Sequence, residues 1–253
     1  MRRAALLLSA GLFVATLGCS APGPAPAPAT VVGPVVDPAT AAAITASVRF
    51  DGPVPAPTMI RIDGDPKCVS ENGGKSERPS ESIVVGTGQA LENVFVYVKD
   101  SVTNYAFPIP AEPVVLDQQK CRYTPHVLGV RVGQRLSIRN SDPLLHNVRA
   151  AGKINQPFNM STPLQGVSFD RTFATREVMV PVRCDVHNWM SAWIGAIDHP
   201  FFGVTAADGR VALNGLPPGT YTIEAWHEEL GTKTQQITVG PKESKDVSFT
   251  FSR

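Results

Sequence analysis

The sequence predicts an all-β protein built as a sandwich or barrel. The 253-residue chain contains 23 prolines, and a proline inside a helix removes a backbone hydrogen bond and clashes with the preceding turn. From Ile44 onward the apolar residues recur with a period near two, which is typical of strands that bury one face. Turn sequences such as Asp51-Gly52-Pro53 and Pro217-Pro218-Gly219 separate many short strands at regular intervals.

The predicted strands are distributed along most of the chain. They cover 44–50, 58–62, 93–98, 112–117, 127–132, 134–140, 145–150, 167–173, 177–183, 192–198, 209–213, 220–226, 233–239 and 246–251. A short helical turn is predicted near His227–Leu230. The polar, glycine-rich segment 64–82 is predicted to be a loop.

The N-terminal residues are predicted to be a targeting segment. Residues 1–18 combine two arginines with an apolar stretch of the length found in export signals. A small residue directly before Cys19 resembles the cleavage box of bacterial lipoproteins, which implies a lipid on Cys19. Residues 19–43 are rich in proline, so we expect an extended linker, and a disordered tail is the alternative. The expected location is periplasmic or cell-surface, with membrane contact only through the anchor.

The charge balance excludes one class of partner. Lys and Arg total 23, and Asp and Glu total 22. Binding to nucleic acid through bulk electrostatics needs an excess of basic residues, so no nucleic-acid partner is expected. Outside the N-terminus, no apolar run reaches the length of a membrane span.

The four cysteines indicate a disulfide and a metal ligand. If Cys19 carries a lipid, three cysteines remain, and exposed thiols in an exported protein tend to pair. By elimination, Cys68 and Cys121 are predicted to form a disulfide, and Cys184 is left over. A bound metal would explain the unpaired Cys184, and a simple buried thiol is the alternative.

A cluster of soft ligands follows one predicted strand. Cys184, His187 and Met190 lie at the spacing C-x2-H-x2-M, and His146 at a strand end 38 residues upstream can supply a second imidazole. Two histidines and a cysteine in trigonal coordination, with a weak axial methionine, are typical of blue copper sites. Zinc is a weaker candidate because methionine is a poor zinc ligand and no second cysteine lies nearby.

Residues 112–198 resemble the cupredoxins, especially the plastocyanin and amicyanin type. The segments 123–125, 130–140 and 146–148 are similar to the family pattern F-x-P, V-x-x-G-x-x-V-x-x-x-N and H-N-V. This resemblance implies a Greek-key β-sandwich that holds one type 1 copper. It implies His146, Cys184 and His187 as strong ligands and Met190 as the axial ligand.

The same resemblance implies two further roles. Asn147 would bond across to the cysteine loop and steady the thiolate. Electrons would leave through a partner-facing His187. The sequence departs from the family at Val186, where a proline is frequent, and at Asp185, which adds a charge near the thiolate.

Other histidines and aromatic residues give weaker signals. Three histidines are predicted to be surface or hydrogen-bonding residues: His126, His199 and His227. A second metal site of His227 with Glu228 and Glu229 stays open as an alternative. Trp189 is either a core aromatic residue or part of an apolar docking rim with Leu144 and Leu145.

The C-terminal segment carries a second resemblance. Residues 204–223 are similar to the carboxypeptidase regulatory-like, transthyretin-type β-sandwich, a structural or protein-binding module. Its usual first strands resemble 46–50 and 93–98, which precede the cupredoxin-like part. The resemblance therefore predicts a cupredoxin inserted into a smaller sandwich that is split between 44–111 and 199–253, with tandem packing as the alternative.

These features predict a carrier of single electrons rather than an enzyme. With only five histidines and no H-x-H pair, the chain cannot build the trinuclear cluster of multicopper oxidases. The expected partners are an unidentified redox donor and acceptor. The alternatives are a copper-binding structural or adhesion module without redox turnover, and a subunit of an enzyme whose catalytic centre lies on another chain.

Overall fold

The computed structural model describes residues 33–100 and 102–253, and it confirms the predicted all-β class. Within these ranges, no helix is long and apolar enough to cross a bilayer. The elements are β1 (Ala42–Phe50), β2 (Met59–Arg61), α1 (Pro66–Glu71), β3 (Glu77–Pro79), a 3₁₀ turn (Thr87–Gln89), β4 (Phe95–Val98), β5 (Val114–Gln118), β6 (Tyr123–Thr124), β7 (Val127–Arg131), β8 (Leu136–Asn140), β9 (His146–Ala150), β10 (Phe158–Thr162), β11 (Ser168–Arg171), β12 (Glu177–Arg183), β13 (Ser191–Ile197), β14 (Phe202–Val204), β15 (Arg210–Leu216), β16 (Gly219–His227), β17 (Gly231–Val239) and β18 (Ser244–Phe251).

Two sequence predictions about local structure were wrong. The segment 64–82, predicted as a loop, contains α1 and β3. Helix α1 begins where the Asp65 side chain accepts a hydrogen bond from the backbone N–H of Lys67, with proline in the first turn. A six-residue helix is too short to show a periodic pattern. The predicted helical turn near His227–Leu230 is the hairpin turn between β16 and β17.

The middle of the chain forms one sandwich. Its sheets have the strand orders β10-β9-β12-β13-β7 and β11-β8-β5-β6. The pairs β7–β13 and β5–β8 are parallel, whereas the other pairs are antiparallel. Apolar side chains from both sheets share one buried core, which includes Leu116, Ile138, Val148 and Val182.

Strands from both ends of the chain form a second sandwich. Its sheets have the orders β15-β1-β18 and β14-β4-β16-β17. Strand β1 pairs antiparallel with β15 and parallel with β18. The chain therefore leaves this sandwich after β4 and returns to it at β14. The domain boundaries and the transthyretin-type family of this sandwich stay predictions.

A third apolar cluster joins the two sandwiches, and two glycines make it possible. Gly129 of β7 and Gly195 of β13 are register partners. The rings of Phe95 and Phe202 from the second sandwich pack over them, with centroids 5.8 Å apart. A Cβ atom on Gly129 would lie 2.4 Å from the Phe202 ring. The absence of side chains here lets the aromatic rings approach the backbone.

Gly195→Ala is expected to destabilise the protein by about 1–3 kcal/mol, because inserting a methyl group into a packed core forces neighbours to move. The added Cβ would lie 2.5 Å from Phe95 Cζ. Urea denaturation measures the loss. Gly240→Ala is the control, since its Cβ would meet nothing closer than 3.5 Å. Equal stability of the two variants would contradict this account of the interface.

The predicted disulfide is present in the structure. Cys68 of α1 is bonded to Cys121, which lies in the turn between β5 and β6. The two Cα atoms are 5.7 Å apart, within the range that a disulfide can bridge. The bond ties the segment that contains α1 to the middle sandwich.

Candidate metal centre

Three of the predicted ligands converge at one end of the middle sandwich. His146 begins β9, Cys184 follows β12, and His187 lies in the loop before β13. The Nδ1 atoms of the two histidines are 2.9 Å apart, and Cys184 Sγ is 3.9 Å from His187 Nδ1. The three residues are almost completely buried, with 0, 2 and 1% of their surfaces exposed. Their donor atoms all lie within 4.8 Å of one another, which suits a single metal ion.

A buried carboxylate holds the ring of His146. The Nε2 atom of His146 lies 2.9 Å from Asp142 Oδ2. The Asp142 carboxylate also accepts hydrogen bonds from the backbone N–H groups of Lys120 and Cys121. Burial would raise the pKa of Asp142, but these hydrogen bonds lower it below the usual range. The ionised Asp142 therefore keeps a proton on Nε2, so Nδ1 is the ring nitrogen that faces the cluster and that could bind a metal.

The surroundings of Cys184 favour its thiolate form. Burial would raise the pKa of its thiol, but hydrogen bonds from His146, His187 and the backbone lower it from 9.0 to about 5. Because the pKa is lower in the folded state, this group stabilises the fold above the unfolded pKa. The stabilisation is lost as the pH falls through about 5. A thiolate is the form that binds metals.

Asn147 ties strand β9 to the loop that carries two of the predicted ligands. Its Oδ1 atom accepts hydrogen bonds from the backbone N–H groups of Asp185 and Val186, at 2.6 and 3.4 Å. The same oxygen is 3.3 Å from Cys184 Sγ. On the other side, its Nδ2 group donates to Asn159 Oδ1. The side chain therefore fixes the loop directly beside the thiolate.

The two departures from the family pattern lie on the surface. The Asp185 carboxylate is 2.7 Å from Nε of Arg149, and this contact lowers its pKa. Its charge is therefore balanced by a guanidinium and faces solvent. Val186 is 47% exposed, so its side chain does not displace a buried group.

Met190 closes the ligand loop. Its backbone N–H donates to the carbonyl of His187, and its own carbonyl accepts from the N–H of Cys184. The Met190 side chain is completely buried in the same apolar core as Cys184. The thioether therefore lies on the interior side of the loop. Because it is nearly apolar, it needs no hydrogen bond from water there.

The expectation of a partner-facing His187 was wrong. Its Nε2 atom lies 3.1 Å from Asp65 Oδ2, at the start of α1. Beside it, the backbone of Gly64 lies against the ring of Trp189, since a Cβ on that glycine would be 3.5 Å from the ring. The segment that precedes α1 therefore covers the edge of His187 that was expected to meet a partner.

The remaining sequence predictions have mixed outcomes. His126, His199 and His227 are buried and hydrogen-bonded rather than exposed. Among the described residues, no cluster suited to a metal includes His227. Trp189 packs against the core and donates to the carbonyl of Cys121. Leu144 is buried and Leu145 is 44% exposed. Cys19 lies outside the described residues.

Sequence reasoning missed the two carboxylates that hold the histidine rings. Asp142 lies only four positions before the predicted ligand His146. This short spacing could have identified Asp142 as a partner of the His146 ring. Asp65 is 122 positions away from His187. No local pattern links these two residues.

Asn147→Ala is expected to destabilise the protein by about 1–3 kcal/mol, because the backbone N–H groups of Asp185 and Val186 lose their acceptor. Hydrogen exchange at these two amides should accelerate in the same variant. Asn159→Ala is the matched control, since Asn159 is exposed and contacts the side chains of Asn147 and Asp185 but neither of these two backbone N–H groups. Unchanged exchange in Asn147→Ala would contradict the role of this side chain.

No protein-family model matches this chain, and no curated protein matches it. Among solved structures, it is similar to an oxidized proline-to-alanine mutant of amicyanin, with 21% identity, 33% of this chain and 81% of that chain covered, and a TM-score of 0.30. A purple cupredoxin from Nitrosopumilus maritimus matches with 18% identity, 34% and 99% coverage, and a TM-score of 0.29.

A third similar structure is a copper-containing nitrite reductase from Thermus scotoductus. It is 20% identical over 38% of this chain, with a TM-score of 0.30, and the chain spans only 24% of its length. The structural neighbours are thus cupredoxins at low TM-scores over about a third of the chain. Similarity at this level does not assign the chain to a family.

Proposed function

We propose that this chain is an exported mononuclear copper protein that carries single electrons between redox partners. The observation that supports this most directly is the convergence of His146 Nδ1, His187 Nδ1 and Cys184 Sγ in one buried site. A carrier needs no substrate pocket beside its metal, and we propose no enzymatic role for the chain.

The residues of the site fit copper better than zinc. Two imidazoles and a thiolate form the strong ligands, and the buried Met190 supplies a soft thioether in the same core. Soft thiolate and thioether ligands together with imidazole favour copper, whereas structural zinc sites use four cysteine or histidine ligands. Among the described residues, no second free cysteine is present to complete such a zinc site.

When bound, copper would supply a one-electron couple between Cu(II) and Cu(I). The protein would contribute a site that is already formed. Asp142 orients His146, Asn147 fixes the ligand loop, and the buried surroundings exclude water. A rigid site changes little between two oxidation states, so little reorganisation opposes electron transfer.

Addition of Cu(II) to the purified protein is expected to produce an intense thiolate charge-transfer band at about 600 nm. Cys184→Ser should abolish the band, because it removes the thiolate. Met190→Leu should keep the colour and shift the reduction potential, which protein-film voltammetry measures. A colourless Cu(II) complex of the unmodified protein would refute the assignment.

The same measurements separate a carrier from a structural copper module. Reversible one-electron cycling is expected of a carrier. A folded, copper-loaded protein without a redox response in the accessible range would instead support the structural module.

We also propose that the protein is exported and attached to a membrane by a lipid on Cys19. The support is the sequence pattern of residues 1–18 and the proline-rich linker over 19–43. Cys19→Ala should move the protein from the membrane to the soluble fraction, because the acyl chains supply the attachment. Cell fractionation followed by immunoblotting measures this. Finding the unmodified protein in the soluble fraction would indicate ordinary signal cleavage.

A further inference from the structure

One segment of the chain covers the metal centre from outside the middle sandwich. Residues 59–79, here called the cap, comprise β2, α1 and β3. Strands β2 and β3 pair only with each other in the described part of the chain, so the cap is not part of either sandwich sheet. Its position over the site must therefore be fixed by other contacts.

Three contacts fix the cap. The Cys68–Cys121 disulfide joins α1 to the turn between β5 and β6. Beside it, the Asn72 side chain donates to the carbonyl of Lys120 at 3.1 Å. The backbone of Gly64 lies against the Trp189 ring. One covalent bond, one hydrogen bond and one packing contact therefore hold the cap against the middle sandwich.

The held cap places one carboxylate on a ligand. Asp65 Oδ2 is 3.1 Å from His187 Nε2, and the Asp65 side chain is 29% exposed whereas that of His187 is only 2% exposed. The Asp65 Oδ1 atom accepts from the backbone N–H of Lys67 at 2.8 Å. Each carboxylate oxygen thus has its own donor, so the orientation of the group is fixed.

The contact resembles the one that Asp142 makes with His146 on the other side of the site. Both carboxylates meet the Nε2 atom of a ligand histidine, and both leave the Nδ1 atom directed at the cluster. A carboxylate on the remote nitrogen of a ligand imidazole fixes the tautomer and raises the basicity of the ligand. The difference is that Asp142 belongs to the middle sandwich and Asp65 belongs to the cap.

We propose that the cap completes the metal centre, with Asp65 as the positioning residue for His187. Asp65 holds the proton on Nε2, keeps Nδ1 available to the metal, and closes the histidine edge to water and to partner proteins. This inference rests on the proposed function, since it requires that His187 bind copper. Electrons consequently enter and leave by a surface other than the Nε2 edge of His187.

Asp65→Asn tests this role, with Asp63→Asn as the matched control. Both substitutions remove one carboxylate from the cap, but Asp63 pairs with Arg61, whereas Asp65 pairs with His187. Asp65→Asn is expected to weaken Cu(I) binding about 10–100-fold, measured by competition with a chromogenic chelator. It should also raise the reduction potential, because a negative charge beside the site stabilises Cu(II) more than Cu(I). Asp63→Asn should change neither quantity appreciably.

The exchange rate of the His187 Nε2 proton provides a readout that does not depend on electron transfer. In the Zn(II)-loaded protein, NMR should show this proton as protected in the unmodified protein and in Asp65→Glu. It should exchange faster in Asp65→Asn. The double variant Cys68→Ser, Cys121→Ser should also accelerate the exchange, because the cap loses its covalent tether. Circular dichroism verifies that each variant is folded.

The outcomes separate this inference from the proposed function. If the unmodified protein gives no thiolate band with Cu(II), the proposed function fails whatever Asp65 does. If the band is present and Asp65→Asn matches Asp63→Asn in affinity, potential and exchange, the role of Asp65 is refuted and the copper assignment stands.

Discussion

The hydrogen bond between the Asp142 carboxylate and the Nε2 atom of His146 constrains everything else at the site. It decides which ring nitrogen carries the proton, and therefore which one can bind a metal. The carboxylate is itself held by the backbone N–H groups of Lys120 and Cys121 in the turn between β5 and β6. That turn also carries one half of the disulfide. The buried Asp142 carboxylate thus contributes to three features: the orientation of His146, the shape of the turn between β5 and β6, and the attachment of the cap through the disulfide in that turn.

Buried charges require compensating partners, and the residues of this site supply them to one another. A thiolate at Cys184 is stabilised by two imidazoles, and each imidazole is stabilised in turn by a carboxylate. Removing one member of such a network leaves another charge buried without compensation, which is costly. Leu145 and Val186 directly precede the two histidines of the site, and both are large apolar side chains that stay exposed.

The sequence identifies the residues that converge at the candidate site far better than it identifies their surroundings. Cys184, His187 and Met190 lie within seven residues, and His146 begins a strand whose alternating pattern is clear, so soft donors at strand ends identify the set. Asp65 is different, because it reaches His187 only through a six-residue helix and a disulfide. Neither feature leaves a periodic pattern. The same limit applies to the buried histidines outside the site: a single histidine in a strand or turn carries no signal of its burial.

The position of β1 has a consequence for the order in which the chain can fold. Its parallel partner β18 lies about 200 residues further along the chain, whereas the strands of the middle sandwich find their partners within a much shorter stretch. Long-range pairings are slow because the entropy of closing the loop must be overcome first. During synthesis, the middle sandwich can therefore assemble while β1 still lacks both neighbours. Any chain that stops before β15 has a finished candidate metal centre beside an unpaired, aggregation-prone strand.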